Sequence, residues 1–231
     1  MNYDVGQYKR GLRRGLPIGL GYITVSIAFG IMAVSGGISV WNTVIISMTN
    51  LTSAGQFAGA GLIISAAPLY EIAIATLVIN IRYLLMSFSV LQKLKMPMPI
   101  WKRLIFGFGI TDETFTLAVL EKEELTFSFM MGLITLPYIG WTLGTVIGAM
   151  LTNMLPLSVQ KCLAIALFAM FIALIVPAVK RSKEVAFVVV VAVISSVILK
   201  FLPISSGFSI IICAVFAAGL GAKMFPKEVE E

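Results

Sequence analysis

Three ionisable side chains stand in apolar parts of this sequence, where charge is costly. Arg82 lies in "EIAIATLVINIRYLLMSFSV", and Asp112 and Glu113 lie in "FGFGITDETFTLAVL". An ionisable group near a bilayer centre costs a few kcal/mol even on the gentlest scale (about 2.5). Each therefore needs a partner or a task. The guanidinium of Arg82 offers a fork of donors that matches a carboxylate. It reads either as an anion-binding group or as the partner of Asp112 or Glu113 in an ion pair. Thr111 or Asp112 is enough to cap a free backbone N–H at a helix start. Two adjacent acids exceed that need, which leaves one carboxylate to bind a cation or carry a proton. The chain has no histidine, so proton transfer falls to carboxylates or other titratable groups, and metal-dependent chemistry is disfavoured. On a regular helix Asn80, Tyr83 and Ser87 share one face while Arg82 points nearly the other way. That helix is expected to be central in its bundle or locally unwound.

A second polar group interrupts "MTNLTSAGQFAGAG", residues 48–61. Asn50, Thr52, Ser53 and Gln56 stand in an otherwise apolar run. Lipid supplies no hydrogen bonds, so a helix broken there must satisfy its freed N–H and C=O groups internally. These side chains can do so, and Gly55 is expected to permit the sharp turn. A helix starting near Gln56 would present free N–H groups and a positive dipole end to an anion.

The elements that must position these groups are membrane helices. Of 231 residues, 59% are hydrophobic and 12% charged, with mean hydropathy +1.00. A soluble domain lacks the residues for a surface at this composition. Continuous apolar runs, rather than short alternating segments, exclude a β-barrel reading. The net charge of +6 is read as cytoplasmic loop charge, not as a nucleic-acid footprint. The expectation is an all-α polytopic membrane protein, with residues 1–231 forming one integral membrane domain. Its apolar stretches are 16–35, 41–67, 69–91, 104–120, 125–150, 157–179, 184–202 and 206–222. The first is read as a retained span, since its apolar run exceeds that of a signal peptide.

If all eight stretches cross, Lys93, Lys95, Lys102 and Arg103 fall outside, against the positive-inside tendency. If 41–67 and 104–120 instead re-enter as half-helices, only Lys161 and Lys200 remain outside. The preferred reading is six full spans plus two re-entrant segments, with eight spans as the alternative and both termini cytoplasmic. In it, 41–91 and 104–150 form units of opposite orientation, an inverted repeat of the kind that transporters use. Gly140, Gly144 and Gly148 make a helix-packing stripe, and Pro137 a kink. Glu71 is expected at the interface. Cys162 and Cys213 have no metal spacing and no disulfide support.

Ala-Gly-Gln-Phe, then Asn-x-Arg, then Thr-Asp-Glu-Thr, in this order, resemble the AzlC family, the large subunit of branched-chain amino acid exporters. The similarity covers residues 10–120 best. It implies export of neutral branched-chain amino acids across the cell membrane, coupled to the proton gradient. It also implies a small AzlD-type membrane partner and no cofactor. The family motif positions fall on Ser53, Gln56 and Phe57, on Asn80 and Arg82, and on Asp112 and Glu113. The first five are expected to touch substrate, and the two acids to couple protons or hold the ammonium group. Many relatives carry histidine after the arginine. This chain has Tyr83, which moves the proton role towards the acids. A passive channel built from the same elements is the rival reading; an enzyme would need a nucleophile–base pair or metal set that the acids do not have beside them.

Overall fold

Polar interruptions decide where the helices of this chain stop. The structure, a computed structural model, describes residues 4–94, 98–121, 123, 125–152, 154, 156, 158, 172, 175, 176 and 179–226. Among these residues the helices are α1 Val5–Ser35, α2 Val40–Thr49, α3 Ala54–Ile64, α4 Leu69–Asn80 and α5 Arg82–Leu91. They continue with α6 Ile100–Phe108, α7 Asp112–Leu120, α8 Phe127–Thr152, α9 Lys183–Leu199 and α10 Ser206–Met224. Three of them (α1, α8 and α10) are long and apolar enough to cross a membrane, and the bent pair α4–α5 makes a fourth if counted as one span. Of the six full spans expected, α9 has 17 residues, and most of 157–179 lies outside the described residues.

The centre of the fold is the pair α1 and α8. Gly11, Gly15 and Gly19 of α1 lie against the backbone of Phe129, Leu133 and Leu136, while Gly140, Gly144 and Gly148 of α8 lie against that of Gly19, Ile23 and Ile27. The residue numbers climb together, so the two helices run parallel. A Cβ at any of these glycines would collide with a carbonyl or backbone atom of the other helix, so backbone meets backbone over the whole length. The expected packing stripe on α8 is present, and α1 carries a matching one.

Two short-helix hairpins enter this pair from opposite ends. In the first, Ser39 caps α2, its hydroxyl accepting from Asn42 N at 3.2 Å. The chain then breaks at residues 50–53 and returns as α3, whose Ile64 side chain packs on Gly36 at the end of α1. Its tip reaches inwards: Tyr138 Oη of α8 donates to the Met48 carbonyl at 3.1 Å. In the second, α6 begins beside α8, with Trp101 edge-on to Phe127 at 6.2 Å. The chain breaks at residues 109–111 and returns as α7. Its exit stays at the same end as its entry, where Glu121 meets Arg14 at 3.8 Å and Glu123 meets Arg10. Both ends of each hairpin thus lie at one end of the α1–α8 pair, and the two tips meet half-way along it.

The turn in the first hairpin differs from expectation. The left-handed residue is Ser53, at φ 44°, whereas Gly55 already lies in the first turn of α3. Gly55 is required for a different reason: a Cβ there would run into the side-chain amide of Asn80. The third apolar stretch is locally unwound, bending by 42° between α4 and α5 at Ile81. Glu71, expected at the interface, does sit in the first turn of its helix but is only 2% exposed. Its Oε1 accepts from Gly207 N at 2.5 Å, at the N-terminus of α10, where the helix dipole favours negative charge.

Candidate functional site

Three breaks in the helices (50–53, 81 and 109–111) converge around Tyr22 of α1 and Trp141 of α8. Thr111 starts α7 with a capping box: its hydroxyl accepts from Thr114 N at 3.3 Å, while Thr111 N donates to Thr114 Oγ1 at 2.8 Å. The cap expected at Thr111 or Asp112 is therefore Thr111, and both acids are released from that duty. Asp112 pairs with Arg82, Nη1 to Oδ2 at 3.0 Å. Glu113 turns to α1, where Tyr22 Oη lies 2.5 Å from its Oε2 and 2.7 Å from Thr111 Oγ1. A phenol has one proton to give, and the carboxylate is the stronger acceptor. Among the described residues Glu113 has no cationic partner.

Because the helix restarts at Arg82, residues 82 and 83 both face the junction. Arg82 Nη2 donates to Tyr83 Oη at 3.3 Å, and its Cζ lies 5.0 Å from the Tyr83 ring centroid. Tyr83 Oη in turn donates to the Thr52 carbonyl in the first break, at 3.3 Å. Arg82 and Asp112 each keep 41% of their side-chain surface exposed. Burial therefore does not lock this pair. Arg82 Nε and Asn80 Oδ1 are enclosed without a hydrogen-bond partner.

The first hairpin gives a different picture. Gln56 is 1% exposed. Its Nε2 donates to Ser47 Oγ at 2.5 Å and its Oε1 accepts from Trp141 Nε1 at 2.9 Å. Ser47 Oγ also lies 2.7 Å from Thr145 Oγ1 of α8. Phe57 packs edge-on against Phe29, ring centroids 5.2 Å apart, inside the apolar cluster of this hairpin. Ser53 begins α3 without a side-chain cap bond. The structure thus gathers Asn80, Arg82, Asp112 and Glu113 at the junction, and places Gln56 and Phe57 in the packing beneath the tip.

Two cavities adjoin the junction. One, of about 580 Å³, lies between α1 and α7 with Asp112 and Glu113 in its wall. The other, of about 500 Å³, is bordered by Asn50, Thr52, Asn80 and Tyr83 together with α6. No group of three or more His, Cys, Asp or Glu among the described residues could hold a metal ion.

Sequence reasoning missed Tyr22 and Trp141. Their signal was a phenol and an indole N–H inside apolar helices, groups that seek a hydrogen-bond partner once buried.

The AzlC protein family model matches residues 17–155, more than half of the chain and all of the junction. The chain belongs to the AzlC family. An uncharacterized membrane protein of Archaeoglobus fulgidus is 30% identical over 175 residues, covering 75% of this chain and 76% of that protein. The inner membrane protein YgaZ of Escherichia coli is 28% identical over 146 residues, 62% of this chain and 60% of YgaZ. An uncharacterized membrane protein of Helicobacter pylori is 27% identical over 180 residues, 76% of this chain and 77% of that protein. No solved structure matches at a significant level. Membership of the AzlC family makes this chain a polytopic membrane protein of a transporter family and implies branched-chain amino acid transport in the broad sense.

Proposed function

We propose that this AzlC-family chain is a secondary exporter of neutral branched-chain amino acids. It works by proton antiport in the inner membrane, with a small AzlD-type membrane subunit as its partner. The observation that carries the reading is the openable Arg82–Asp112 pair beside the Tyr22–Glu113 contact, at the meeting point of three helix breaks. Broken helices near mid-depth are where secondary transporters hold substrate. A substrate carboxylate displaces Asp112 from Arg82. The freed carboxylate then takes the ammonium group or a proton, and Glu113 supplies a second acceptor. Asn80 lines the approach. Ser53, Gln56 and Phe57 serve by fixing the tip of the first hairpin.

In this reading the hairpins 40–64 and 100–120 are re-entrant, from outside and from the cytoplasm respectively. Both termini are then cytoplasmic, and 41–91 and 104–150 are inverted units. The support is the return of each hairpin to its own end of α1–α8, with Arg10, Arg14 and Lys93 at the end of the second. Single cysteines at positions 93 and 123 test it: both should react with impermeant thiol reagents only from the cytoplasmic side. Labelling of either from outside overturns the topology.

The activity is tested by counterflow in proteoliposomes containing the chain and its partner, with leucine, isoleucine, valine and methionine, with and without a pH gradient. Accumulation driven by the gradient is expected for at least one branched-chain substrate. Flux indifferent to the gradient marks a passive channel, and failure of every branched-chain substrate removes the exporter reading.

A further inference from the structure

A series of three polar contacts crosses the junction from the second hairpin to the first. Asp112 Oδ2 holds Arg82 Nη1 at 3.0 Å, Arg82 Nη2 holds Tyr83 Oη at 3.3 Å, and Tyr83 Oη holds the Thr52 carbonyl at 3.3 Å. Chemistry fixes the direction of each step. A guanidinium only donates and a carbonyl only accepts, so the phenol takes a hydrogen bond from Arg82 and gives its single proton to Thr52. Such a series is cooperative: a phenol oxygen that accepts from a cation becomes a better donor. Both phenol bonds are longer than the optimum for their type, about 2.7–3.0 Å, which suits a contact that is made and broken. The Thr52 carbonyl also accepts from Gly55 N at 3.2 Å. The turn therefore keeps a bond of its own when the phenol leaves, and no carbonyl is orphaned in the membrane. Tyr83 further borders the cavity of about 500 Å³, which gives its side chain room to turn.

We infer that Tyr83 is a positioning residue, a latch whose hydroxyl ties the first hairpin to Arg82 and lets it go when Arg82 takes a substrate carboxylate. The inference rests on the export reading and adds to it the route by which occupancy of Arg82 reaches the first hairpin. Arg82 and Tyr83 are consecutive at the start of α5, directly after the 42° bend at Ile81. A guanidinium drawn from Asp112 to a substrate withdraws Nη2 from the phenol, and the bond to Thr52 loses the donor that strengthens it. The latch thus exists while Asp112 holds Arg82 and is absent from the substrate-bound state. An interaction confined to the unliganded state lowers apparent substrate affinity, because binding must also reverse it. Removing the latch should therefore tighten binding, an outcome that neither a substrate contact nor a packing role gives.

The test is leucine binding to the full-length chain in lipid nanodiscs, read together with a reporter at the tip of the first hairpin. Tyr83→Phe keeps the ring and deletes the hydroxyl. It should lower the Kd for leucine by about two- to tenfold, the scale of one neutral hydrogen bond. The reporter is Leu51→Cys, in a chain with Cys162 and Cys213 replaced by alanine. Leu51 is buried within the break, so a thiol there reacts with N-ethylmaleimide only when the tip is released. Leucine should raise its labelling rate by a similar factor while Tyr83 is present. In Tyr83→Phe the rate should be high without leucine and respond little to it. A raised or unchanged Kd in Tyr83→Phe overturns the latch, as does labelling that still depends on leucine to the full extent. Should Tyr83→Phe fail to insert, the reporter chain with Tyr83 still decides, because labelling indifferent to leucine overturns the latch without that variant. The two readings fail differently. Leucine binding without these effects removes only the latch, whereas failure of leucine, isoleucine and valine all to bind removes both.

Discussion

The two hairpins share a plan and differ in what they carry at their tips. Each is a pair of short helices broken by polar residues and inserted half-way along α1–α8. In the first, the buried amide below the tip is spent on the protein itself: Gln56 bridges Ser47 and Trp141 and is 1% exposed. In the second, a threonine capping box satisfies the helix start, and this frees two carboxylates to face Arg82, Tyr22 and a cavity. A helix break in a membrane always demands hydrogen bonds, so polar residues at a break do not by themselves mark a binding site. The residues that remain after the break has been satisfied do. By that criterion the proposed chemistry belongs to the second hairpin, with the first as its scaffold.

The largest effect that could break this contrast is on transport. Asp112→Asn should lower gradient-driven leucine flux by on the order of 100-fold, with the protein inserted at normal levels. Undiminished flux in this variant would place the coupling group elsewhere. Next comes the close approach in the first hairpin. Gly55→Ala pushes a methyl group into the Asn80 amide and should destabilise the protein by about 1–3 kcal/mol. Asn80→Ala should recover part of that loss in the double variant; a double-mutant cycle of thermal unfolding reads the coupling.

Gln56→Leu should cost a comparable or smaller amount, about 1–3 kcal/mol, because Trp141 Nε1 loses its buried acceptor. Its signature is a drop in unfolding temperature with an unchanged substrate affinity. A raised Kd with no change in stability would move Gln56 from scaffold to site and erase the contrast. Tyr22→Phe removes the one proton offered to Glu113 and should shift the pH dependence of transport while altering stability little. An unshifted pH profile would show that Glu113 takes no part in coupling.

The smallest effect concerns the rim of the second hairpin. The Arg10 guanidinium, hydrogen-bonded to the exposed Glu123, holds its carboxyl below the usual carboxylate range. A carboxyl lowered in the folded state contributes fully above its ordinary pKa and loses that contribution as pH falls through the lowered value. Glu123→Gln should therefore matter slightly at neutral pH and not at all in strong acid. Thermal unfolding of both proteins across pH 2–7 (a span set by the ordinary carboxylate range of roughly 4) checks this.

Much of the junction could be read in the sequence because lipid makes polar residues expensive. Both hairpin breaks fall where Asn50–Ser53 and Gly109–Thr111 interrupt apolar runs, and Arg82 does pair with one of the two acids. Other features had no such signal. Which acid pairs with Arg82 depends on the direction in which α7 leaves its cap, and only the fold sets that. The need for glycine at 55 was legible, but its reason is a neighbour 25 positions away, Asn80, which no local turn rule can reveal. The contact between α1 and α8 was half visible as a small-residue stripe. That the stripe faces a second one, in parallel, is a tertiary fact.

The glycine-to-backbone contact along α1 and α8 has a mechanical consequence. Two helices that touch through carbonyls and Cα atoms have no flexible side chains between them to act as a bearing. Sliding or tilting one against the other would drive atoms together at every turn. The pair is therefore a stator: in the proposed exporter, motion that opens the junction first to one side of the membrane and then to the other falls to the hairpins and to the bend at Ile81.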